Sequence, residues 1–391
     1  MKSNYSELGK YIREINIRNS DLAITNLLGV SMEKTFMPSV ANLNGVDLAV
    51  YKVLKKEQLA CKLMSVGRDE KLPVDLYKDE KPAIVSSAYY VFEPKDKEEL
   101  LPEYLMMWLC RPENDRYIGF ISGGDVRGGI SWETFCSLPI KVPRIEKQRE
   151  IVKEYYNIQS RIALNQQLIQ KLEETAQAIY KQWFVDFEFP DEDGKPYKSN
   201  GGEMEWNEDL EKEIPMGWFY KTLGSISNIK AGGDKPEVFS PYRTDFFQIP
   251  IYSNSSENEG LFGFTDKPVI LKKSITISAR GAIIGYTVLR TLPFVPIVRL
   301  IVVTPKDENQ LNYLYETIRK FAYEGSGSAQ GQLTIPDISA YKIILPKINL
   351  LQSYQKISHT ITKNIEIKKY ENQKLTELKG LLLSKLATVE N

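Results

Sequence analysis

Residues 151–183, IVKEYYNIQSRIALNQQLIQKLEETAQAIYKQW, place Ile151, Tyr155, Ile158, Ile162, Asn165, Ile169, Leu172, Ala176, Ile179 and Trp183 at alternating steps of four and three. That spacing keeps one stripe of a helix on one side for roughly five heptads, which is the pattern of a coiled coil. At about 1.5 Å per residue, a helix over about 147–185 would be about 60 Å long. A second, looser stripe follows near the C-terminus: Ile357, Ile361, Ile365, Asn372, Leu375, Leu378, Leu382 and Leu386. Asn165 and Asn372 occupy corresponding places. A polar Asn inside such a seam costs stability and fixes register, so this pair is the candidate for spacer register. Two solvent-facing Asn at a kink are the alternative.

Working outward, the two halves of the chain share a plan. Leu8-Gly9 matches Leu223-Gly224, Tyr104-Leu105-Met106 matches Tyr313-Leu314-Tyr315, and Asn165-Gln166-Gln167-Leu168 matches Asn372-Gln373-Lys374-Leu375. Gly128-Gly129-Ile130-Ser131 followed by Ile140–Pro143 matches Gly331-Gln332-Leu333-Thr334 followed by Ile343–Pro346. Matches in one order, with a slowly drifting offset, mark a duplicated unit with loop insertions. Each unit is predicted to be a mixed α/β body of many short strands followed by a long helix. A short helix ends near Arg111 or Lys320, and β-branched runs such as Ile275–Ile277 and Val298–Val303 form strands. Helices packed antiparallel would present one face twice, and duplex DNA is the common target with that symmetry.

The composition bounds the chemistry. The 391 residues carry 51 Lys and Arg against 51 Asp and Glu, one His and three Cys. A balanced charge argues against indiscriminate coating of nucleic acid or membrane. The single His359 removes nearly all His-based metal sites and triads, and is read as structural. Cys61, Cys110 and Cys136 form no CxxC pair and read as reduced thiols of a cytoplasmic protein. The N-terminal residues lack an apolar signal core, and the most apolar stretch, near 292–303, is too interrupted to span a bilayer. Residues 191–220 hold 3 basic against 9 acidic side chains among several Gly and Pro, which reads as a solvated connector.

The segment 164–218 carries a family resemblance. LNQQLIQKLEETAQAIYKQWFVDFEFP, then GKPYKSNGGEM, then EIPMGW, resembles the central region of type I restriction–modification DNA specificity subunits. There a seam helix runs into a Trp-Phe-Val-Asp-Phe-x-Phe-Pro exit, here Trp183–Pro190, and an Ile-Pro-x-Gly-Trp motif, here Ile214–Trp218, opens the second recognition domain. The resemblance implies target-recognition domains at 1–143 and 215–346, helical spacers at 144–190 and 347–391, and an acidic linker at 191–214. It implies double-stranded DNA as ligand, read as a bipartite site, and two methyltransferase subunits docked on the helical region, with restriction and translocase subunits joining through them. No cofactor is expected on this chain; S-adenosylmethionine, ATP and Mg²⁺ would sit on the partners. No membrane partner is expected.

The residues agree with a non-catalytic role. No Asn/Asp-Pro-Pro-Tyr/Phe motif and no GxxxxGK[ST] loop is present. Asp79-Glu80-Lys81 lacks the partner Pro-Asp of a nuclease and reads as exposed charge. Two Gly-rich loops at matching positions, 123–129 and 325–331, carry Arg127 and Gln330 at equivalent places. Arg pairs with guanine and Gln with adenine in the major groove, whereas a plain turn before a strand is the alternative. Lys34, Arg68 and Lys71 in the first body, and Lys230, Lys235, Arg243 and Arg280 in the second, stand beside Gly and hydroxyl residues and are candidate phosphate contacts. Each could equally be a solvated surface cation. The aromatic exit Trp183, Phe184 and Phe187 is either core or a methyltransferase-docking patch. A stand-alone DNA-modifying enzyme and a coiled-coil scaffold without a DNA role are the competing functions.

Overall fold

The computed structural model describes residues 5–39, 45–64, 66–122, 128–208, 211–321 and 332–389. Its two longest elements are the helices Ile145–Tyr180 and Ile348–Lys385. The first ends in a π-helical turn, Lys181–Val185, and Phe187 beyond it takes a left-handed backbone. Every residue of the predicted first stripe is buried or half-buried. The second stripe differs from the expectation. Ile357 and Leu378 are 41% and 47% exposed. The side chains turned inward are instead Leu351, Tyr354, Ser358, Ile361, Ile365, Lys368, Asn372, Leu375, Lys379, Leu382 and Leu386, again at steps of three and four.

The chain divides into two compact units, residues 1–166 with 370–391, and residues 167–369. Each unit therefore holds one α/β body and a piece of both long helices. In the first unit Tyr155 shares a core with Leu383 and Leu386, and Asn165 bonds to Asn372, so the pieces run antiparallel. In the second unit Trp183 meets Tyr354 at a ring separation of 5.9 Å, in the same sense. Each large side chain fully buried along such a seam contributes roughly 1.5–3 kcal/mol.

The bodies repeat one topology. In the first, a four-stranded sheet is ordered Ile12–Ile15, Tyr90–Pro94, Leu59–Cys61, Val74–Leu76. In the second the order is Ser227–Ala231, Leu300–Pro305, Ser274–Ser278, Thr287–Arg290, with each strand in the corresponding place. A second sheet accompanies each, four-stranded in the first body and three-stranded in the second, and a two-stranded pair closes each body at the root of its helix: Ser6–Glu7 with Pro139–Ile140, and Phe219–Thr222 with Lys342–Leu345. The short helices Pro102–Leu109 and Leu311–Ile318 pack on the sheets and bury Tyr104 and Tyr313. Tyr104 donates its hydroxyl proton to the Lys141 carbonyl at 3.0 Å, and Tyr313 donates to the Ile344 carbonyl. The matched residues of the sequence thus make matched bonds.

Two regions depart from the expectations. The run predicted as a strand over Val298–Val303 begins at Leu300, because Arg299 takes φ 71° and turns the chain. The acidic connector is ordered in its described residues. Asp191 accepts backbone N–H bonds from Asp193 and Lys195, and Met204–Asn207 pairs with Lys212–Pro215 as a hairpin. Phe189 stacks between Tyr197 and Trp218, at 4.5 Å and 5.5 Å. Aromatic residues interspersed among the charges supply the anchor that net charge alone does not reveal.

Gly9 and Gly224 show why small residues recur. A Cβ on Gly9 would meet the Cys136 Cβ at 2.8 Å, and one on Gly224 would meet the Ser339 Cβ at 2.9 Å. Leu8 and Leu223 bond through their backbone N–H to Leu138 and Tyr341 carbonyls, at 2.9 and 2.8 Å, which fixes that approach. Gly9→Ala and Gly224→Ala are each expected to lower stability by about 1–3 kcal/mol through overpacking. Gly119→Ala, in the helix Pro112–Ile121 with open space around it, is expected to be neutral or to gain up to about 1 kcal/mol. Urea unfolding of the three variants checks the contrast.

Candidate nucleic-acid interface

The sequence-predicted cations fall into different surroundings. Lys34, expected at a phosphate, is turned inward. Its Nζ donates to Asp115 Oδ1 at 2.8 Å and to the Leu109 carbonyl at 2.7 Å, with the side chain only 9% exposed. An ammonium enclosed by a carboxylate and a carbonyl is a structural charge, because exposing it would leave Asp115 buried and unpaired. Lys71 lies at the surface in an ion pair with Glu33 at 2.8 Å. Of Arg68 only the backbone is described, in the short helix Val66–Asp69. Lys230 is exposed on the strand Ser227–Ala231, and Lys235 is exposed with its ammonium 4.4 Å from the Phe239 ring. Arg243 is exposed and donates from Nε to Gln248 at 2.8 Å. Arg280 is half-buried, and its carbonyl accepts from Asn254 Nδ2 at 2.8 Å.

Arg127 and Gln330 lie outside the described residues, but the chain beside them is placed. Ile130 bonds through its N–H to the Leu63 carbonyl at 3.1 Å, and Gly67 N–H to the Gly128 carbonyl at 2.7 Å. Leu333 N–H bonds to the Ala279 carbonyl at 2.9 Å, and Arg280 bridges to Gln332. In each body, then, the chain that follows the Gly-rich loop is stitched just beyond the end of the same central strand. Gly128 thus lies beside the segment of Arg68, and Gln332, the residue after the second loop, beside Arg280. Ala279 also donates its N–H to the Arg299 carbonyl at 2.9 Å, which adds the exposed Arg299 to the second cluster. Sequence reading missed Arg299 because it sat inside a presumed strand; its one signal is the charge interrupting an apolar run.

On the helices, Asn165 is fully buried. Its Nδ2 donates to Asn372 Oδ1 at 2.9 Å and to Glu371 Oε2 at 3.1 Å, while Asn372 Nδ2 donates to the Ile162 carbonyl at 3.4 Å. Arg161 stands 3.8 Å from Glu371. The alternative of two solvent-facing Asn does not describe this pair. Trp183, Phe184 and Phe187 are buried in the core of the second unit with Tyr313, Tyr354 and Trp218. Their rings are consumed by that packing, so the outward patch considered for docking is not present at these three positions. His359 points to solvent from the second long helix. Burial pushes all three thiols, Cys61, Cys110 and Cys136, up from their usual range, which leaves them protonated and poorly nucleophilic. Among the described residues no group of three His, Cys, Asp or Glu is placed to hold a metal ion. No helix of the described residues is long and apolar enough to cross a membrane.

Residues 75–174 and 215–379 match the type I restriction modification DNA specificity domain. The chain belongs to that family. The specificity subunit of the type I restriction enzyme HindI from Haemophilus influenzae is 24% identical over 456 residues, which span 98% of each protein. That of MjaIX from Methanocaldococcus jannaschii is 26% identical and covers 74% of this chain and 69% of its own. The crystal structure of a type I restriction–modification S subunit from M. genitalium superposes with a TM-score of 0.58 at 16% identity, covering 98% of this chain and 95% of that one. The likeness shows the same fold. Specificity subunits of this family are the non-catalytic component of type I enzymes, in keeping with the absence of catalytic motifs noted in the sequence.

The Asn165–Asn372 pair of this specificity-family chain has a measurable signature. Asn165→Ala removes the amide that donates to Asn372 Oδ1 and is expected to cost about 1–3 kcal/mol, as a half-buried acceptor loses its donor. Replacing both by Leu is expected to recover that loss, since an apolar pair needs no partner. A double-mutant cycle of Asn165→Ala and Asn372→Ala by denaturant unfolding decides; losses that simply add would show that the two Asn are not coupled.

Proposed function

We propose that the chain reads a bipartite DNA target, one half-site per α/β body, while the paired helices set the unread interval between them and carry the methyltransferase and restriction subunits. The observation that supports this most is the duplication itself: the same sheet order, the same Gly-loop stitch and the same helix root occur twice in a chain of a DNA specificity family. Proposed backbone contacts are Arg68 and Lys71 in the first body and Lys230, Lys235, Arg243 and Arg280 in the second, with Arg127 and Gln330 as base readers. Methyl transfer and DNA cleavage then belong to partner subunits, together with S-adenosylmethionine, ATP and Mg²⁺.

Exchange of residues 215–346 for the matching segment of a relative tests the division of labour. Methylation mapping is expected to show one half of the recognised sequence changed and the other retained. A change in both halves, or in neither, would contradict two independent readers.

The interval is tested by insertion. Asn165 faces Asn372 and Trp183 faces Tyr354, so Lys171 and Glu366 stand at matched levels. Four residues added beside each lengthen the helices by about 6 Å and displace the seam by about 40°, a stutter that local unwinding absorbs. On DNA about 6 Å is roughly two base pairs and about 70° of twist. Seven residues add about 10.5 Å and leave the seam almost unrotated, while three base pairs of DNA turn by about 100°. The four-residue variant is expected to keep both half-sites with a longer interval, and the seven-residue variant to lose more methylation. An unchanged interval in an active four-residue variant would show that the helices do not set it.

A further inference from the structure

Each body contains one connection that leaves the first strand of the sheet described above, Ile12–Ile15 or Ser227–Ala231, and enters the second sheet: residues 16–26 in the first and 232–248 in the second. The strands they lead into are equivalent. Leu27–Val30 and Ile249–Tyr252 each pair antiparallel with the next strand and parallel with a later one. Each connection contains a turn that holds large apolar side chains in solvent: Leu22 in the first, Tyr242 and Phe246 in the second.

In the second body Phe239 packs beside Ile251, Val295 and Ile297, and Ser240 exchanges two backbone bonds with Phe264 at 2.8 and 2.9 Å. Gly263 permits that approach, because a Cβ there would meet the Ser240 carbonyl oxygen at 2.7 Å. Beyond this anchor, the Thr244 hydroxyl accepts the Phe247 N–H at 3.0 Å, and Gln248 ties Arg243 to the Thr244 carbonyl. The turn is thus braced from within, yet Tyr242 is 77% and Phe246 73% exposed. In the first body buried Asn19 holds the turn through two bonds to Ile24, at 2.9 and 3.1 Å. Leu22 lies at its tip with φ 54° and 54% exposure.

Braced turns that hold large apolar groups in water mark contact surfaces. The exposed Lys230, Lys235 and Arg243 of this connection and the strand before it alternate with the exposed Asp234, Glu237 and Asp245, so the tip carries no net charge toward the anionic backbone of DNA and its apolar groups are what it presents. A base step offers apolar faces inside such a backbone, and apolar side chains that enter it unstack and kink the duplex. We propose that Tyr242 and Phe246 in the second body, and Leu22 in the first, are wedges that enter the base stack of their respective half-sites. The proposal rests on the DNA-reading function above.

The test uses the complex of the full chain with its methyltransferase subunits, without S-adenosylmethionine, on a duplex carrying the mapped methylation site. 2-Aminopurine replaces each half-site purine in turn, the methylated adenine excepted. The complex is expected to raise its fluorescence several-fold at one step per half-site. Y242A/F246A abolishes the rise in one half-site only and Leu22→Ala in the other, while Y242W/F246W keeps it. Affinity of Y242A/F246A for the intact duplex falls about tenfold, and a mismatch at the kinked step restores most of it, because unstacking is then already accomplished. Site-specific binding without any rise, or a rise unchanged in Y242A/F246A, overturns the wedges. Failure of the unmutated complex to bind any duplex overturns the DNA-reading function instead.

Discussion

Two helices of more than thirty residues, each with a single inward stripe, stay extended only if that stripe is covered along its whole length. An isolated helix of this kind would expose a continuous apolar strip and fray. Here the cover is mutual, and it extends beyond the paired helices. Ile151 and Tyr155 at one end enter the core of the first body, and Leu350, Leu351 and Tyr354 enter that of the second. Each core therefore depends on helix as well as sheet, and neither body is complete at the last residue of its final strand.

That dependence explains what sequence could and could not reveal. The first stripe was legible because all but one of its ten members are apolar or aromatic. The second was read one step out of phase at two places, since Ser358, Lys368 and Lys379 occupy inward positions and Ile357 and Leu378 do not. Ser358 is tolerated there because Asn312 donates to it at 2.9 Å and it donates to the Tyr354 carbonyl at 2.8 Å. Lys379 lays its ammonium 5.9 Å from the Tyr155 ring, so that its stem fills the seam while its charge stays near water. A hydrophobicity pattern has no means to register such substitutions. The repeat was legible for the opposite reason: Gly9 and Gly224, and Tyr104 and Tyr313, are fixed by one close approach and one hydrogen bond, which only particular residue types satisfy.

The cations were the least legible. Lys34 and Lys71 lie close in sequence terms to similar neighbours, yet one is sealed against Asp115 and the other pairs at the surface with Glu33. Charge in the sequence says nothing about which carboxylate the fold will bring up. The same holds for the acidic segment after the first helix, where Phe189, Tyr197 and Trp218 build a small stacked core beneath a surface that composition describes as solvated. The overall balance of charge conceals a chain whose basic groups are spent partly on internal pairing and partly on the ends of central strands.

The helix root has a mechanical meaning. Gln148, fully buried in the first helical turn, accepts from the Leu101 N–H at 2.9 Å and donates to the Glu99 and Pro143 carbonyls at 2.8 Å, while Tyr104 holds Lys141, the residue after the strand Pro139–Ile140. Body and helix are joined there by short, directional bonds on both sides of the connection rather than by a swivel. Torque applied to the helix by anything that grips it is therefore delivered to the sheet behind it with little slack, and the loops at the far end of that sheet turn as the helix turns.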